Sequence, residues 1–407
     1  MKDFFKVMGL LLFVYCCNPK SRYTEYLMVH ENGKIEEIDV SLKGEISSLI
    51  SIKELFEDIS YISLKTPDSL QLTYAAKIIE FQDKLIVLDG KKKILLAFEL
   101  DGNFIGQVGN KGEGPEEYQS ITDFDFDMYR NEIVAFSRAD MSIFWFDKDL
   151  KFIEKKRINS WGNLLAILES GNIAIYSYMD NNNDPYNIRI YDRAGILVSK
   201  AMPYPQENGG FTVPDYSGFI RNNYYTYPYS SRVYKIDEEN LNEYPLFEFK
   251  FPNMRDEKKK FDHSEFFLKP FSDEILGKFE FGKSNKEAIF KYSFKSGANN
   301  GFTTGILLSS GEAFGHQQLK HGAVGKDDIF VKLFFVSPYN LPNYSTVSGY
   351  YYVARDIESV AFFYDEIKNE LKELVKSDPH LYDLLIGLED IESPFIMRFK
   401  LIDRYEK

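Results

Sequence analysis

The chain of 407 residues is longer than one typical domain and has ample length for a large hydrophobic core. Its apolar fraction of 44% and charged fraction of 27% are those of a folded globular protein and exclude wholesale disorder. A net charge of −13 argues against a nucleic-acid-binding protein, which needs basic groups to neutralise phosphates, and an aromatic fraction of 16% favours β structure.

The first residues predict a secretory signal. A short basic start precedes an apolar run over 7–14, which is too short to span a bilayer but fits the core of a signal peptide. Cys16 and Cys17 follow, and the arrangement resembles a bacterial lipoprotein signal, which is cleaved just before a cysteine that then carries lipid. Cys17 fits the lipidated position better, because the residue before that cysteine should be small and Tyr15 is not.

The cysteine count agrees with this interpretation. Both cysteines of the chain lie in this segment, so the predicted mature chain can form no intrachain disulfide. The alternative is an N-terminal helix that buries two inert cysteines, but no helical periodicity continues after them. Residues 18–22 carry no acidic run like the surface-export tag of some envelope lipoproteins, so we expect an anchor that faces the periplasm.

Four stretches of the following sequence share one pattern, in which an apolar strand is followed by a polar hairpin, an aromatic-rich strand and a turn. Units of roughly 40–50 residues with four short strands are typical of propeller blades, because one sheet cannot cover its two apolar faces alone. The end residues Phe98, Phe146, Tyr191 and Ile236 are 48, 45 and 45 residues apart. The paired strands are 85–89 with 94–98, 132–136 with 143–146, 172–176 with 188–191, and 223–227 with 233–236.

After residue 250 the period is less regular. A helical insertion is predicted over 365–375, where apolar residues recur at helical spacing among Glu and Lys. The predicted strands are 287–294, 304–308, 328–336, 359–363 and 394–402.

The segment 98–118 (FELDGNFIGQVGNKGEGPEEY), followed by 121–127 (ITDFDFD), resembles the six-bladed β-propeller lipoproteins of Bacteroides-type bacteria, which are similar to NHL-repeat propellers. The segments 55–64 (LFEDISYISL) and 392–399 (ESPFIMRF) resemble the two ends of that family. The resemblance implies an all-β fold: a six-bladed β-propeller with four-stranded antiparallel blades, here with a short helical insertion near the C-terminus. The number of blades rests on the resemblance.

These observations predict a signal peptide over 1–16, a tether and linker over 17–50, and a single propeller domain over 51–407. A propeller avoids an open sheet edge when its two ends join, so residues 55–64 should pair with the last blade.

The strand order within a blade predicts which rim carries a site. If 75–81 is the innermost strand of its blade, the loops between second and third strands lie on the same rim as the links between blades. Binding sites are usually built on such loops of a rigid scaffold. Arg138, Tyr229 and Arg232 are expected on this rim, and arginine and tyrosine are side chains that dominate interface energies.

Asp123, Asp125 and Asp127 alternate with two phenylalanines, so on a strand their carboxylates share one side. On an innermost strand, Asp123 should lie near the loop-rich mouth of the channel and the other two deeper. Such carboxylates could hold Ca²⁺, which prefers oxygen ligands. Alternatively, they lie in a solvated channel or accept hydrogen bonds from nearby backbone amides.

These features favour a non-enzymatic, lipid-anchored binding protein of the cell envelope, with a peptide, a glycan or another envelope protein as its ligand. Its contact with the membrane would be through the N-terminal lipid only, and we predict no nucleic-acid partner and no required cofactor. The alternative is a cation-dependent, lactonase- or lyase-like propeller enzyme with Asp123 and partners at the channel mouth. Such a site needs ligands from several blades, and the sequence reveals one row of carboxylates.

Overall fold

The computed structural model describes most of the region from residue 55 to residue 402 and three short segments before it. The described residues are 25–26, 28–29, 35–39, 55–158, 160–177, 184, 186–203, 219–226, 230–239, 242–251, 276–282, 287–296, 299–311, 313–314, 341–354, 368–369, 371–373, 375–376, 382 and 395–402.

Four strands precede the first complete blade: β1 (Glu25–Tyr26), β2 (Met28–Val29), β3 (Glu36–Asp39) and β4 (Phe56–Ser63). A 3-10 turn over Asp68–Leu70 follows them.

Three blades follow in chain order, each a four-stranded antiparallel sheet. Blade 1 contains β5 (Ala75–Phe81), β6 (Lys84–Asp89), β7 (Ile94–Glu99) and β8 (Phe104–Gln107). Blade 2 contains β9 (Asp123–Asp127), β10 (Glu132–Ser137), β11 (Ser142–Phe146) and β12 (Phe152–Arg157). Blade 3 contains β13 (Leu164–Ile167), β14 (Ile173–Tyr176), β15 (Tyr186–Tyr191) and β16 (Leu197–Pro203).

Three more blades complete the ring. Blade 4 contains β17 (Phe219–Arg221), β18 (Tyr224–Thr226), β19 (Arg232–Asp237) and β20 (Asn242–Lys250). Blade 5 contains β21 (Leu276–Phe281), β22 (Ala288–Ser296), β23 (Asn299–Leu307) and β24 (Ala313–Phe314). Blade 6 contains β25 (Asn343–Tyr344), β26 (Tyr351–Ala354) and β27 (Phe395–Leu401), with β4 as its outermost strand.

The first strands of neighbouring blades contact one another all the way around the ring, from β5 through β9, β13, β17, β21 and β25 back to β5. They therefore form the wall of a central channel, and the predicted six-bladed propeller and its strand order are confirmed. The predicted strand pairs of the first four blades are the second and third strands of those blades. The predictions for 328–336 and 359–363 lie outside the described residues, and helical backbone is present within 368–376.

The ring closes through blade 6, as predicted. β4 pairs antiparallel with β27, with Phe56 opposite Leu401 and Ser63 opposite Phe395. Side chains add to this main-chain pairing, because Arg398 Nε donates to Ser60 Oγ at 3.0 Å.

The N-terminal strap, which we define as β1, β2 and β3, lies on the outer edges of two blades. β1 pairs parallel with β16 of blade 3, and β2 and β3 pair parallel with β20 of blade 4. The prediction of a tether over 17–50 does not anticipate these strands. The strap covers backbone edges that would otherwise be open to other strands.

Aromatic rings fill the spaces between blades, which explains the high aromatic content. Phe81 of blade 1 packs against Phe126 of blade 2 with their ring centroids 4.1 Å apart. Between blades 4 and 5, the ring centroids of Phe249 and Phe290 are 4.9 Å apart. Such pairs bury much apolar surface and fix the angle at which neighbouring sheets meet.

The two rims of the ring differ. The loop face, formed by residues such as 90–93, 108–122 and 138–141, carries the loops between second and third strands and the links between blades. The turn face, formed by residues such as 82–83, 100–103, 128–131 and 192–196, carries tight turns. None of the helical residues in the described part of the chain belongs to a segment with the length and apolarity of a bilayer span.

Candidate functional site at the channel mouth

Asp123 lies at the mouth of the channel, at the start of β9, as predicted. Its Oδ1 atom is 2.9 Å from Lys77 Nζ of blade 1, and its Oδ2 atom accepts a 2.8 Å hydrogen bond from the backbone N–H of Leu165 in blade 3. Lys77 also donates to the carbonyl oxygen of Phe124 at 2.6 Å. One carboxylate therefore connects the inner strands of three blades.

Asp125 lies deeper and makes the same kind of connection. Its Oδ2 atom accepts from Ile167 N–H at 3.0 Å, and its Oδ1 atom is 3.2 Å from Arg221 Nη1 of blade 4. Arg221 Nε is in turn 3.1 Å from Glu280 Oε2 of blade 5. A buried guanidinium thus lies between two buried carboxylates.

The electrostatics of this buried group favour the charged form of the guanidinium. Burial on its own lowers the pKa of Arg221, but Glu280, Asp125 and Asp123 outweigh burial and raise it above its usual value. Burial also raises the pKa of Glu280 above its usual range, while Arg221 and the N–H of Tyr344 act in the opposite direction. Removing the cation would leave carboxylates without compensation in a site that water barely reaches.

Asp127 ends the row near the turn face and has a local role. Its Oδ1 atom accepts from the backbone N–H groups of Tyr129 and Arg130, and its Oδ2 atom is 2.7 Å from Arg130 Nη1. The three aspartates therefore accept hydrogen bonds from backbone amides, which is the alternative to the Ca²⁺ interpretation. Within the described residues, no group of three or more His, Cys, Asp or Glu side chains is placed to hold a metal ion.

A cavity of about 170 Å³ opens at the channel mouth on the loop face. Residues from blades 1, 2, 3, 4 and 6 line it, so its shape depends on the ring as a whole. Its polar lining consists of Lys77, Thr122, Asp123, Asn163, Arg221 and Asn343.

The two asparagines in this lining have fixed orientations. Asn343 Oδ1 accepts a 3.0 Å hydrogen bond from the backbone N–H of Ile78 in blade 1. Asn163 Oδ1 accepts a 2.6 Å hydrogen bond from Arg138 Nη1. In the described part of the chain, neither side-chain amide nitrogen donates to a protein group.

Arg138 connects the rim to the cavity. It lies in the turn between β10 and β11 on the loop face, where its backbone N–H donates to Thr122 Oγ1 at 3.0 Å. Its guanidinium is 4.5 Å from the ring centroid of Trp161, which is 41% exposed. Arg138 is thus placed as predicted and is held by two residues of the cavity lining, Thr122 and Asn163.

The remaining predicted site residues are less closely tied to the cavity. Arg232 is the first residue of β19 and is partly buried, with its Nε atom 3.6 Å from Glu248 Oε1, so it is part of a strand and not of a free hairpin tip. Tyr229 and Cys17 lie outside the described residues.

Several residues of this site escaped the sequence analysis. Lys77, Arg221 and Glu280 each interrupt an apolar first strand of a blade, in AAKIIEF, FIR and LGKFEF. For Lys77, a charged residue inside the predicted innermost strand 75–81 was the available signal, whereas no strand was predicted over 219–221 or 276–281. Asn163 and Trp161 lie in a link between blades, where the sequence carries no comparable pattern.

Another buried carboxyl, that of Glu243, lies away from the channel wall, on the outermost of the four strands of blade 4. Glu243, in β20, accepts from the backbone N–H of Met202 at 2.9 Å and from the hydroxyl of Tyr225. Burial raises the pKa of Glu243 from 4.5 to about 7, although both hydrogen bonds act to lower it.

The comparisons with known proteins agree with the fold. A family model described as a domain of unknown function, DUF4934, matches residues 35–400. No curated protein matches the chain.

Solved structures with the same fold include two proteins from Bacteroides. A candidate exported protein from Bacteroides fragilis is 17% identical with a TM-score of 0.67, over 90% of this chain and 100% of that one. A member of the DUF4221 family from Bacteroides vulgatus is 11% identical with a TM-score of 0.50, over 87% of this chain and 98% of that one. A virginiamycin B lyase from Staphylococcus aureus is 12% identical with a TM-score of 0.41, over 85% and 100% of the two chains. At these identities the two similarities to Bacteroides proteins establish the fold alone, and the lipoprotein character and the likeness to NHL repeats stay predictions.

Proposed function

We propose that this chain, which belongs to the DUF4934 family, is an exported, lipid-anchored protein that binds a ligand at the loop face of its propeller. The observation that carries the proposal is the cavity at the channel mouth, which five blades line with residues of their inner strands and links. A concave, pre-formed site on which a few polar groups converge is the usual way in which proteins hold small ligands.

Export and lipid attachment are inferred from the N-terminal sequence. The apolar run over 7–14 has the length of a signal-peptide core, and Cys17 occupies the position at which a lipoprotein is cleaved and acylated. The similarity to a candidate exported protein from Bacteroides fragilis supports a destination in the cell envelope. We expect the anchored protein to face the periplasm.

The direction of the strap supports a loop face that is open to ligands. β1 runs parallel to β16, whose first residue lies at the turn face, so β1 begins on the turn-face side of its pairing. Seven residues lie between Cys17 and Glu25, and the eight steps from one to the other span at most about 29 Å. A lipid on Cys17 would therefore hold the turn face toward the membrane and leave the channel mouth directed away from it.

The cation-dependent enzyme is the weaker interpretation of the same site. It requires oxygen atoms of Asp123 and its neighbours as metal ligands. Those oxygens are engaged by Lys77, Arg221 and two backbone amides, so a cation would have to displace groups that join the blades.

The anchor is tested with two single substitutions in the full chain. Cys17→Ala should abolish labelling with a radioactive fatty acid and release the protein into the soluble periplasmic fraction, whereas Cys16→Ala should stay labelled and membrane-bound. Persistent labelling of the Cys17→Ala protein would show that the lipid is elsewhere.

The loop face is tested by comparing two multiple variants of the full chain in a pull-down from envelope extract. The loop-face variant combines Arg138→Ala, Tyr229→Ala and Arg232→Ala, and the turn-face variant combines Asp83→Ala and Asn103→Ala. If one of the altered side chains is an interface hot spot, the first variant should lose about 2 kcal/mol of binding or more, roughly thirtyfold in affinity. Equal recovery of partners by both variants would contradict the proposal, and a loss with the turn-face variant alone would move the site to the other rim.

A further inference from the structure

The cavity at the channel mouth offers hydrogen-bond donors, because its acceptors are already in use. Both oxygens of Asp123 are engaged, one by Lys77 and one by Leu165 N–H. The amide oxygens of Asn163 and Asn343 are bonded within the protein, which leaves their N–H groups for a ligand. A ligand in this cavity must therefore present acceptor oxygens, since unpaired buried donors are costly.

The charges of the lining are compensated within the protein. Lys77 is paired with Asp123, and Arg221 is paired with Asp125 and Glu280. An added anion would lie close to these carboxylates, and an added cation would lie close to Lys77 and Arg221. The cavity consequently suits an uncharged ligand.

The rest of the lining is apolar and matches a compact ring. The apolar side chains are Ala76, Leu88, Leu164, Ile220 and Leu341. The volume of about 170 Å³ is close to that of engineered cavities of about 150 Å³ that hold one six-membered ring. A compact group with both C–H faces and oxygen atoms fits such a lining, whereas a bare hydrocarbon would leave the amide donors unpaired.

Beside the cavity, the half-exposed ring of Trp161 extends the surface. Trp161 is 41% exposed and lies two residues before Asn163. The guanidinium of Arg138 packs against the Trp161 ring and also donates a hydrogen bond to Asn163 Oδ1. An indole offers a flat apolar surface to a ligand that is longer than the cavity.

We infer that the cavity binds one neutral sugar residue of a glycan, with its oxygens facing the amide nitrogens of Asn163 and Asn343 and its C–H faces against the apolar lining. The inference rests on the proposed function and adds the chemical class of the ligand. A peptide bond also carries an acceptor oxygen, but it does not present the compact ring with C–H faces that fits the apolar lining.

The test measures the affinity of the detergent-solubilised full chain for single sugars by isothermal titration calorimetry. The neutral probes are D-glucose, D-galactose, D-mannose and N-acetyl-D-glucosamine, and the charged and peptide probes are D-glucuronate, D-glucosamine and trialanine. We expect at least one neutral sugar to bind, and to bind at least tenfold more tightly than the charged sugars. Absence of binding by every neutral sugar, or tighter binding of glucuronate, glucosamine or trialanine, would overturn the inference.

A near-isosteric variant tests whether the sugar binds in this cavity. Asn163→Asp keeps an oxygen for Arg138 but removes both amide donors, so the affinity for the neutral sugar should fall at least tenfold while the melting temperature is kept. The matched control is Asn131→Asp, at an exposed position in the turn between β9 and β10. Asn131 has a left-handed φ of 53°, a conformation that both asparagine and aspartate adopt readily. Equal affinity of Asn163→Asp and the control would place any sugar outside this cavity.

If no sugar binds while the loop-face variant still loses its envelope partners, the ligand class is wrong and the binding function stands.

Discussion

The channel wall and the outer edges of the propeller are joined by different kinds of bond. On the wall, side chains connect neighbouring blades, as when Asp123 and Asp125 bond to the backbone of blade 3 and Arg221 bridges blades 2 and 5. At the outer edges, the strap and β4 add main-chain pairing to blades 3, 4 and 6. The wall therefore depends on particular side chains, whereas the edges depend on the presence of a strand.

This difference predicts that single substitutions damage the wall and deletions damage the edges. A main-chain ladder tolerates most side chains on its exposed side, but a buried carboxylate that loses its cation has no substitute. The following experiments test this contrast, beginning with the largest expected effect.

Deletion of residues 18–66 removes the strap and β4, and with β4 the closure of blade 6. We expect a chain that aggregates or shows no cooperative thermal transition, because the outer edge of β27 is then open. The control is a deletion of 18–34, which removes β1 and β2 but keeps the ring closed and should melt cooperatively. Cooperative melting of the larger deletion near the temperature of the parent would show that closure does not depend on β4.

Arg221→Met leaves Asp125 and Glu280 buried without their cation. The expected loss is about 3–5 kcal/mol in the free energy of unfolding, measured by urea denaturation. Arg130→Met is the matched control, because Arg130 is half-exposed and its pair with Asp127 should contribute less than about 1 kcal/mol. If both variants lose a similar free energy of unfolding, the buried ion pairs of the wall contribute no more to stability than an exposed pair does.

Glu243 departs from the contrast, since it is a buried carboxyl on an outer strand. Its folded-state pKa of about 7 exceeds the ordinary 4.5, so the folded protein holds the proton more tightly than the unfolded chain. The resulting stability is fully present below about pH 4.5 and is lost as the pH rises through about 7. Relative to Glu243→Gln, the wild type should lose roughly 3 kcal/mol between these limits, measured as urea unfolding at pH 4.5 and pH 8. A pH-independent difference between the two proteins would contradict this.

Arg138→Ala should have the smallest effect on stability, because Arg138 belongs neither to the wall nor to an edge. We expect a change within about 0.5 kcal/mol in the same urea assay, as for other exposed positions. A loss above about 1.5 kcal/mol would mean that the contacts with Trp161 and Asn163 support the fold, and the residue would then be unsuitable as a probe of binding.

The sequence revealed the blades because their strands repeat locally. Strands such as 94–98 and 143–146 follow their partners within a few residues, so periodicity and turns are visible in one stretch. The pairing of 55–64 with the last blade was also predictable, since a ring must close. The pairing of the strap was not predictable, because β1 to β3 are short and their partner strands lie about 170–215 residues further along the chain.

The candidate site was predictable only in part for the same reason. The position of Asp123 at the mouth followed from the alternation of DFDFD and the strand order. Its partner Lys77, and the pairing of Asp125 with Arg221 across 96 residues, result from the closed ring and have no local signal. The amide donors of Asn163 depend in turn on Arg138, which a sequence pattern cannot orient.

Blade 6 makes closure of the ring wait for a strand that is synthesised long after its partner. Ser60 and Arg398, which bond across β4 and β27, are 338 residues apart in the chain. At ribosomal rates of about 5–20 residues per second, β4 leaves the ribosome roughly 17–70 s before the strand that it pairs with. During that interval the nascent chain cannot close its ring, and the closed propeller forms only once β27 has followed.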